Sequence, residues 1–528
     1  MKWQILGKGK DIVEILLKNR GIKNKKEFFD PLDPSKIKLT SLGVSKPQID
    51  KAIKRIKLAK SKKEEVIVYG DYDADGITAT AIMWEAIHEF GLNVLPHIPD
   101  RFEEGYGINS TSVENLKLKI PNLSLIVTVD NGIVALGGIK KAKELGIDVI
   151  VIDHHTKGEK KNEALSIIHS TEVCGSALAW FFAKELKIEK GLELAAIGTI
   201  ADQMPLVGVN RSLVKYGLAQ LNKTKRPGLL ALFEDSKIKR VGTYEVNYVI
   251  APRINAMGRL ANGLDSLRLL CTKKAEKALE LSKLLTDTNI DRQKIVDVVV
   301  KHALSMSKGN IPNVIVLAHE TYHEGVIGLA AGKLVEEFYR PAIVISTKGK
   351  KAKASARSIP GFNIIEAIRA TGLILEGGGH PMAAGFSIST EKIGVFTKEI
   401  NKLAAKLITP ELLEKKLKID MEIEFEDVTA DLYKELQKFD PTGIGNPAPT
   451  FATRGAEIIK AKTVGNGAKH LKLTLKQDEH IFDAIYFGGG EIYSKLKTNT
   501  KIDAVYRIEE DTWNGLGSLQ LLIRDIRL

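Results

Sequence analysis

Three acidic clusters in this chain stand directly behind apolar runs. Asp71, Asp73 and Asp75 follow EVIVYG at 65–70. Asp130 closes LSLIVTVD at 123–130, and Asp153 closes IDVIVID at 147–153, with His154 and His155 next. Each cluster alone has an ordinary explanation. Asp-x-Asp in a loop commonly makes an Asx turn or a helix cap, and Asp-Asn-Gly after a strand, as at 130–132, is commonly a turn. A pair of histidines can be structural. Their conjunction says more, because crowded carboxylates repel one another unless cations neutralise them. Oxygen ligands joined by one or two imidazoles suit Mn²⁺ or Mg²⁺, and histidine tilts the choice towards Mn²⁺. Two such ions can activate a water and stabilise the leaving oxygen of a phosphodiester.

The elements needed to gather these groups follow a strand–helix alternation. Strands are expected at 65–70, 93–98, 123–130 and 147–153, with helices at 77–90, ended by Gly91, and at 133–145. Residues 173–202 read as mostly helical. This rhythm predicts a mainly parallel sheet covered on both faces. Ligands of such sheets bind beyond the carboxyl ends of the strands, so all three clusters should meet on one rim.

The flanking regions read as separate units. Residues 1–45 form a leader with turn signals at Pro31 and Pro34. Apolar residues at 49–59 then recur at helical spacing beneath a basic face. The first α/β domain is placed at 46–274 and a connector helix at 275–310. A second α/β unit at 311–412 has strands at 313–318 and 342–347 and helices near 327–338 and 363–371. Alternating strands at 470–476, 480–487 and 518–526 make 413–528 a small all-β module.

Bulk properties narrow the partners. Of 528 residues 44% are hydrophobic and 27% charged, an ordinary globular balance. Lys and Arg number 78 against 65 acids, a net charge of +13, which favours a polyanionic partner unless the whole proteome is Lys-rich. Two cysteines, Cys174 and Cys271, without a CxxC pair argue against a zinc-thiolate site and a disulfide framework, and fit a reducing cytoplasm. The N-terminal MKWQILGKGKDIVEILL is too interrupted by charge for a signal peptide. No run approaches the ~18 apolar residues of a membrane span.

YGDYDADG (69–76), VTVDNG (127–132), IDHHT (152–156) and ADQMPL (201–206) resemble the four motifs of the DHH phosphoesterase superfamily. Its members include RecJ nucleases, oligoribonucleases, cyclic-dinucleotide phosphodiesterases and family II pyrophosphatases. The resemblance implies one metal held by Asp73 and Asp130, and a second by Asp75, Asp130, His154 and Asp202, with Asp130 the bridge. It gives His155 the scissile phosphate or the leaving group, and sets Asp71 behind the ligands. Many relatives carry a histidine four residues before the first metal-binding aspartate. Tyr69 stands there in this chain, which implies a more open, weaker or water-completed first site.

The second half resembles RecJ nucleases in particular. YHEGVIGLAAGKL (322–334), RPAIVIS (340–346), SARSIPGFNI (355–364) and GGGHPMAAGF (377–386) resemble segments of their DHH-associated domain. Gly378 and Gly379 would let backbone N–H groups approach a phosphate, with His380 adding a charge-assisted contact, although a glycine run is otherwise a flexible turn. PDRFEEGYG (99–107) and SARS (355–358) resemble a pocket for a terminal 5′ phosphate, which implies contacts from Arg101, Ser355 and Arg357. APRINAMGRL (251–260) adds Arg253 and Arg259 as backbone contacts. Asn289 and Arg292 match too, with helix packing as an equal alternative. FDPTGIGNPAPTF (439–451) resembles the start of an OB-fold-like domain that binds single strands.

The resemblance thus implies a metal-dependent exonuclease using two Mn²⁺ or Mg²⁺ ions. It would degrade single-stranded DNA 5′→3′ to 5′ mononucleotides in DNA repair and recombination. It further implies a cytoplasmic monomer working beside a helicase and a single-strand-binding protein. Two alternatives stay open: a DHH phosphodiesterase of oligoribonucleotides or cyclic dinucleotides, and a replication-associated scaffold. The complete acid set argues against the scaffold.

Overall fold

The computed structural model describes residues 1–306, 311–511 and 518–528. The end of the expected connector, 307–310, lies outside the described residues.

The first domain is built on five parallel strands in the order Asn93–His97, Glu65–Tyr69, Leu123–Val129, Asp148–Asp153, Ser166–His169. Helices cover both faces, so the central strands are apolar runs such as Val66-Ile67-Val68, buried throughout. The carboxyl ends at Tyr69, Val129 and Asp153 share one rim, as expected. The edge strand Ser166–His169 was not foreseen.

Two helix starts differ from the expected ones, and both differences bear on the rim. Asp73 caps its helix by accepting from Gly76 N at 2.9 Å, so the helix runs Ala74–Glu89 rather than from 77, and Asp75 lies buried in its first turn. After helix Ser110–Lys119, the helix expected at 133–145 is Leu136–Glu144, because Ile133 N instead donates to Asp153 Oδ2 at 2.8 Å. Helices Gly175–Glu185 and Leu192–Ala201 then pack on Ala74–Glu89.

A 32-residue helix, Ala275–Met306, leads to the second lobe. The sheet there is mixed, in the order Ile374–His380, Ala383–Ser389, Lys351–Arg357, Ala342–Ser346, Ile315–His319, with only the last pair parallel. The glycine run is not a flexible loop. It forms strand Ile374–His380, paired antiparallel with Ala383–Ser389. A Cβ on Gly379 would meet Ala383 O at 2.3 Å, and one on Gly377 would meet Phe386 Cβ at 2.7 Å. These glycines are therefore needed for a tight hairpin.

The C-terminal module is a five-stranded barrel. Phe451–Val464 pairs with both His470–Gln477 and Lys501–Glu510, and the circuit closes through Leu519–Arg527 and His480–Tyr486. The expected leader is built into this module. Strand Lys2–Ile5 pairs in parallel with Lys416–Ile419, and Leu16, Leu17 and Phe28 lie in the barrel core. Leu39, Leu42 and Val44 belong instead to the core of the first domain.

Arg211 joins barrel and first domain. It is fully buried, with its guanidinium 3.9 Å from the centre of the Phe28 ring. Its Nε donates to Phe28 O at 2.6 Å, Nη1 to Phe439 O and Pro441 O, and Nη2 to Lys438 O and Asp440 O. Five donors meet five carbonyls, which satisfies the whole fork of the guanidinium.

Candidate metal centre

The rim gathers the acids into three overlapping groups. Ligand atoms of Asp71, Asp73 and Asp130 lie within 4.8 Å of one another, as do those of Asp75, His154 and Asp202, and those of Asp130, His154 and His155. Asp130 and His154 each serve two groups. Asp71 thus stands among the candidate ligands of the first site rather than behind them.

Local backbone geometry aims these side chains. Asp130 adopts φ +60°, a left-handed conformation that Asp and Asn tolerate best, while its N–H continues the sheet to Ile152 O at 2.9 Å. Asp75 accepts from Gly175 N at 2.7 Å and Ser176 N at 3.0 Å, at the start of helix Gly175–Glu185. Glycine is required at the facing helix positions. A Cβ on Gly175 would lie 2.5 Å from Asp130 Oδ1, and one on Gly198 2.3 Å from Asp75 Oδ1.

His154 Nε2 lies 3.1 Å from Asp130 Oδ1, 3.8 Å from Asp202 Oδ2 and 3.9 Å from Asp75 Oδ2. His155 is oriented by Asp153, whose Oδ1 accepts from its Nδ1 at 2.7 Å, and its Nε2 reaches Tyr106 Oη at 3.3 Å. Asp153 is thereby a positioning residue. Tyr69 is fully buried, its hydroxyl donating to Gly107 O at 3.3 Å. It supplies no ligand in place of the family's histidine.

The charge state tests the fit to metal. Burial, and then the charges of Asp75, Asp73 and Asp71, hold the Asp130 carboxyl well above the ordinary range. Burial and Asp73 do the same to Asp71, and burial with Asp75 raises Asp73. Asp202 is pushed up to about 8 by burial and the charges of Asp75 and Asp73. Burial lowers His154, whereas the hydrogen bond to Asp153 raises His155. Asp130 Oδ1 is buried and makes no hydrogen bond among the described residues, although His154 Nε2 approaches it to 3.1 Å. Carboxylates this crowded, and an orphaned buried oxygen among them, fit a pair of divalent cations with oxygen and imidazole ligands.

A stability experiment follows from these directions. Carboxyls raised in the folded state keep protons that the unfolded chain, titrating near about 4, has already released. Stability of the metal-free protein therefore has a component that falls as pH rises from about 4 to about 8. Mn²⁺ binding should raise Tm, and by more at pH 8 than at pH 5.5. A metal-induced rise that is the same at both pH values would sink this account.

Beside the acids lies a cavity of about 580 Å³ between the first domain and the second lobe. Arg101, Arg259, Ser355 and Arg357 line it together, as do Tyr72, between two of the aspartates, and Tyr106, the partner of His155. The Arg101 guanidinium sits 4.7 Å over the Tyr72 ring. Arg259 Nη1 donates to Gly325 O at 3.1 Å, and burial with the nearby Arg101 pulls Arg259 down to about 10. Three arginines converging on a partly desolvated space favour an anion.

Other expected contacts fall elsewhere. Gly378, Gly379 and His380 are exposed on their strand and do not line the cavity. Arg253 donates to Thr286 Oγ1 on the connector and to Val249 O. Asn289 is buried on the connector. Tyr72, Tyr106, Asn255, Gly175 and Gly198 were not singled out from sequence. Asn255 Oδ1 accepts from Ala74 N at 2.7 Å, beside Asp73, a contact that no local pattern announces.

Sheet, acid rim and second lobe together define a DHH-type phosphoesterase. Family models agree: residues 65–199 match the DHH family N-terminal domain, 312–406 the DHHA1 domain and 419–525 the RecJ OB domain. The chain is 31% identical to the single-stranded-DNA-specific exonuclease RecJ of Thermus thermophilus, over 96% of this chain and 74% of that one. It is 35% identical to RecJ of Bacillus subtilis, over 94% of this chain, and spans 64% of that protein's length. The crystal structure of Thermus thermophilus RecJ in complex with Mn²⁺ superposes with a TM-score of 0.85 at 27% identity, covering 100% of this chain and 79% of that one. The chain belongs to the RecJ family. No helix among the described residues is long and apolar enough to cross a membrane.

Proposed function

We propose that this chain is a metal-dependent exonuclease that degrades single-stranded DNA 5′→3′ to 5′ mononucleotides. One observation carries the reading. A cavity lined by three arginines abuts the acid rim, with Tyr72 and Tyr106 belonging to both. Asp73 and Asp130, joined by Asp71, would hold one ion, and Asp75, Asp130, His154 and Asp202 the other. Bound there, divalent ions supply positive charge to the phosphoryl oxygens and lower the pKa of a ligated water.

The protein's own groups do the rest. Arg101, Arg259, Arg357 and Ser355 receive a terminal 5′ phosphate and so fix the first phosphodiester at the rim. His155, held by Asp153, hydrogen-bonds the scissile phosphate or its leaving oxygen through Nε2, taking over the contact made to Tyr106. Each cut leaves a new 5′ phosphate that can enter the same cavity. No base is read, so digestion is sequence-tolerant. The RecJ OB module adds a surface for the single strand. Work as a monomer in a reducing cytoplasm, in repair and recombination, with a helicase and a single-strand-binding protein, completes the proposal.

The test uses DNA and RNA strands labelled at either end, with EDTA, Mn²⁺ or Mg²⁺. EDTA should abolish digestion and Mn²⁺ restore it. Label at the 5′ end should appear at once as mononucleotide, and blunt duplex should resist. Digestion from 3′ ends, or equal rates on duplex and single strand, would overturn the reading. Turnover of short oligoribonucleotides alone would favour the smaller phosphodiesterases of the superfamily.

A further inference from the structure

We propose that Tyr244 and Tyr248 form a stacking platform for bases of the DNA strand downstream of the cleaved bond. The proposal rests on the nuclease reading above and adds a second grip, away from the reacting phosphate.

Both tyrosines are exposed, 64% and 68%, and their rings stand 4.9 Å apart at 31°. Neither belongs to a hydrophobic cluster among the described residues. Large aromatic surface left in water without a packing role marks a binding surface. They sit on a helical run from Thr243 to Leu260, widened by a π turn at Val246–Ile250, a distortion common at functional sites.

That helical run follows the site. At its C-terminal end Arg259 lines the phosphate cavity. Asn255 bonds Ala74 N beside Asp73. Asn247 Oδ1 accepts from Gln203 Nε2 at 2.7 Å, beside Asp202. One helix thus passes from the phosphate cavity, along both candidate metal sites, to the two tyrosines. At 1.5 Å per residue, Tyr248 and Tyr244 lie about 16 and 22 Å along it from Arg259. That matches roughly five to seven nucleotides at the ~3.4 Å spacing of a stacked strand, and fewer if the strand is extended.

Tyr244, with Tyr248 beside it, stands at a groove of about 1160 Å³ that reaches the barrel and is lined in part by Tyr244, Lys239, Arg240 and Arg507. Arg507 Nε is buried there without a hydrogen-bond partner among the described residues. Glu245 and Glu509 line it too, so the groove is not uniformly basic. Its distinguishing feature is Tyr244, whose ring stands against that of Tyr248. Stacking on aromatics is sequence-tolerant, as an exonuclease needs.

The experiment compares full-length wild type with the double variants Tyr244→Leu/Tyr248→Leu and Tyr244→Phe/Tyr248→Phe. In EDTA, a 5′-phosphorylated strand carries 2-aminopurine at successive positions. Wild type should quench it at about the fourth to sixth nucleotide, the Leu pair should not, and the Phe pair should. With Mn²⁺, the Leu pair should raise KM for a strand of about 20 nucleotides by on the order of 10- to 100-fold. A 5′-phosphorylated trinucleotide, too short to reach the tyrosines, should be cleaved at the wild-type rate. An unchanged KM for the long strand in the Leu pair overturns the platform alone. Equal losses on both substrates overturn it in favour of a structural role. Wild type that cleaves neither substrate overturns the nuclease reading beneath it.

Discussion

Asp130→Asn is expected to lower hydrolysis of single-stranded DNA by well over the roughly 10- to 100-fold that loss of an outer-shell partner costs a metal site. Asp130 belongs to both the Asp71–Asp73 group and the His154–His155 group. Its loss therefore weakens two sites together. Asparagine is the informative replacement because it keeps the shape and tolerates the φ of +60° found there. Alanine would also remove activity, with added backbone strain. Asp130→Asn replaces a carboxyl whose ionisation is opposed by burial and then by Asp75, Asp73 and Asp71. The metal-free variant should accordingly melt higher than metal-free wild type at pH 8, and Mn²⁺ should raise its Tm far less. Lost activity with raised metal-free stability is the signature of a ligand. Activity near wild type, or a lowered metal-free Tm, would remove Asp130 from the bridging position.

The second large effect concerns the end of the strand. Arg357→Ala is expected to slow cleavage of 5′-phosphorylated strands by about 10- to 100-fold, the equivalent of a charge-assisted contact worth roughly 1.5–3 kcal/mol. Cleavage of 5′-hydroxyl strands should change little, since they offer the cavity no terminal charge. Arg357 suits this role because, among the described residues, its side chain's only hydrogen bonds are to the adjacent Ala356 O at 2.9 Å and Ser355 Oγ at 3.5 Å. Losing it breaks no ion pair among the described residues. Arg357→Lys should recover only part of the rate, because ammonium cannot form the two-pronged contact of guanidinium. The ratio of the two substrates on one variant is the measurement. Equal slowing of both would make Arg357 a general backbone contact or a structural residue.

Much of the site was legible because its groups sit at strand ends, where chain order and sheet order coincide. Asp130, Asp153 and His154 need only the rule that parallel strands deliver their carboxyl ends to one rim. The positions of Asp71 and Asp75 were harder to read. Both depend on where a helix begins, and the Asp73 cap that decides it is a local hydrogen bond competing with turn conformations. The glycine run misled because a tight hairpin and a flexible loop ask for the same residue, and only the facing Ala383–Ser389 strand distinguishes them. Tyr69 shows the reverse case. Its departure from the family pattern was visible, whereas its turn towards Gly107 was not. Contacts between distant segments, such as Asn255 with Ala74 or Arg211 with Phe439, leave no periodicity at all.

The pairing of Lys2–Ile5 with Lys416–Ile419 sets an order of events at the ribosome. At about 5–20 residues per second, roughly 20–80 s separate the synthesis of the two strands. Through that interval the first domain can complete its parallel sheet, while Leu16, Leu17 and Phe28 have no barrel core to enter. Arg211 meanwhile stands in a finished helix facing carbonyls at 438–441 that have yet to be made. The beginning of the chain is therefore among the last parts to fold. Until then Leu16, Leu17 and Phe28 are the unpartnered apolar face of an otherwise charged segment.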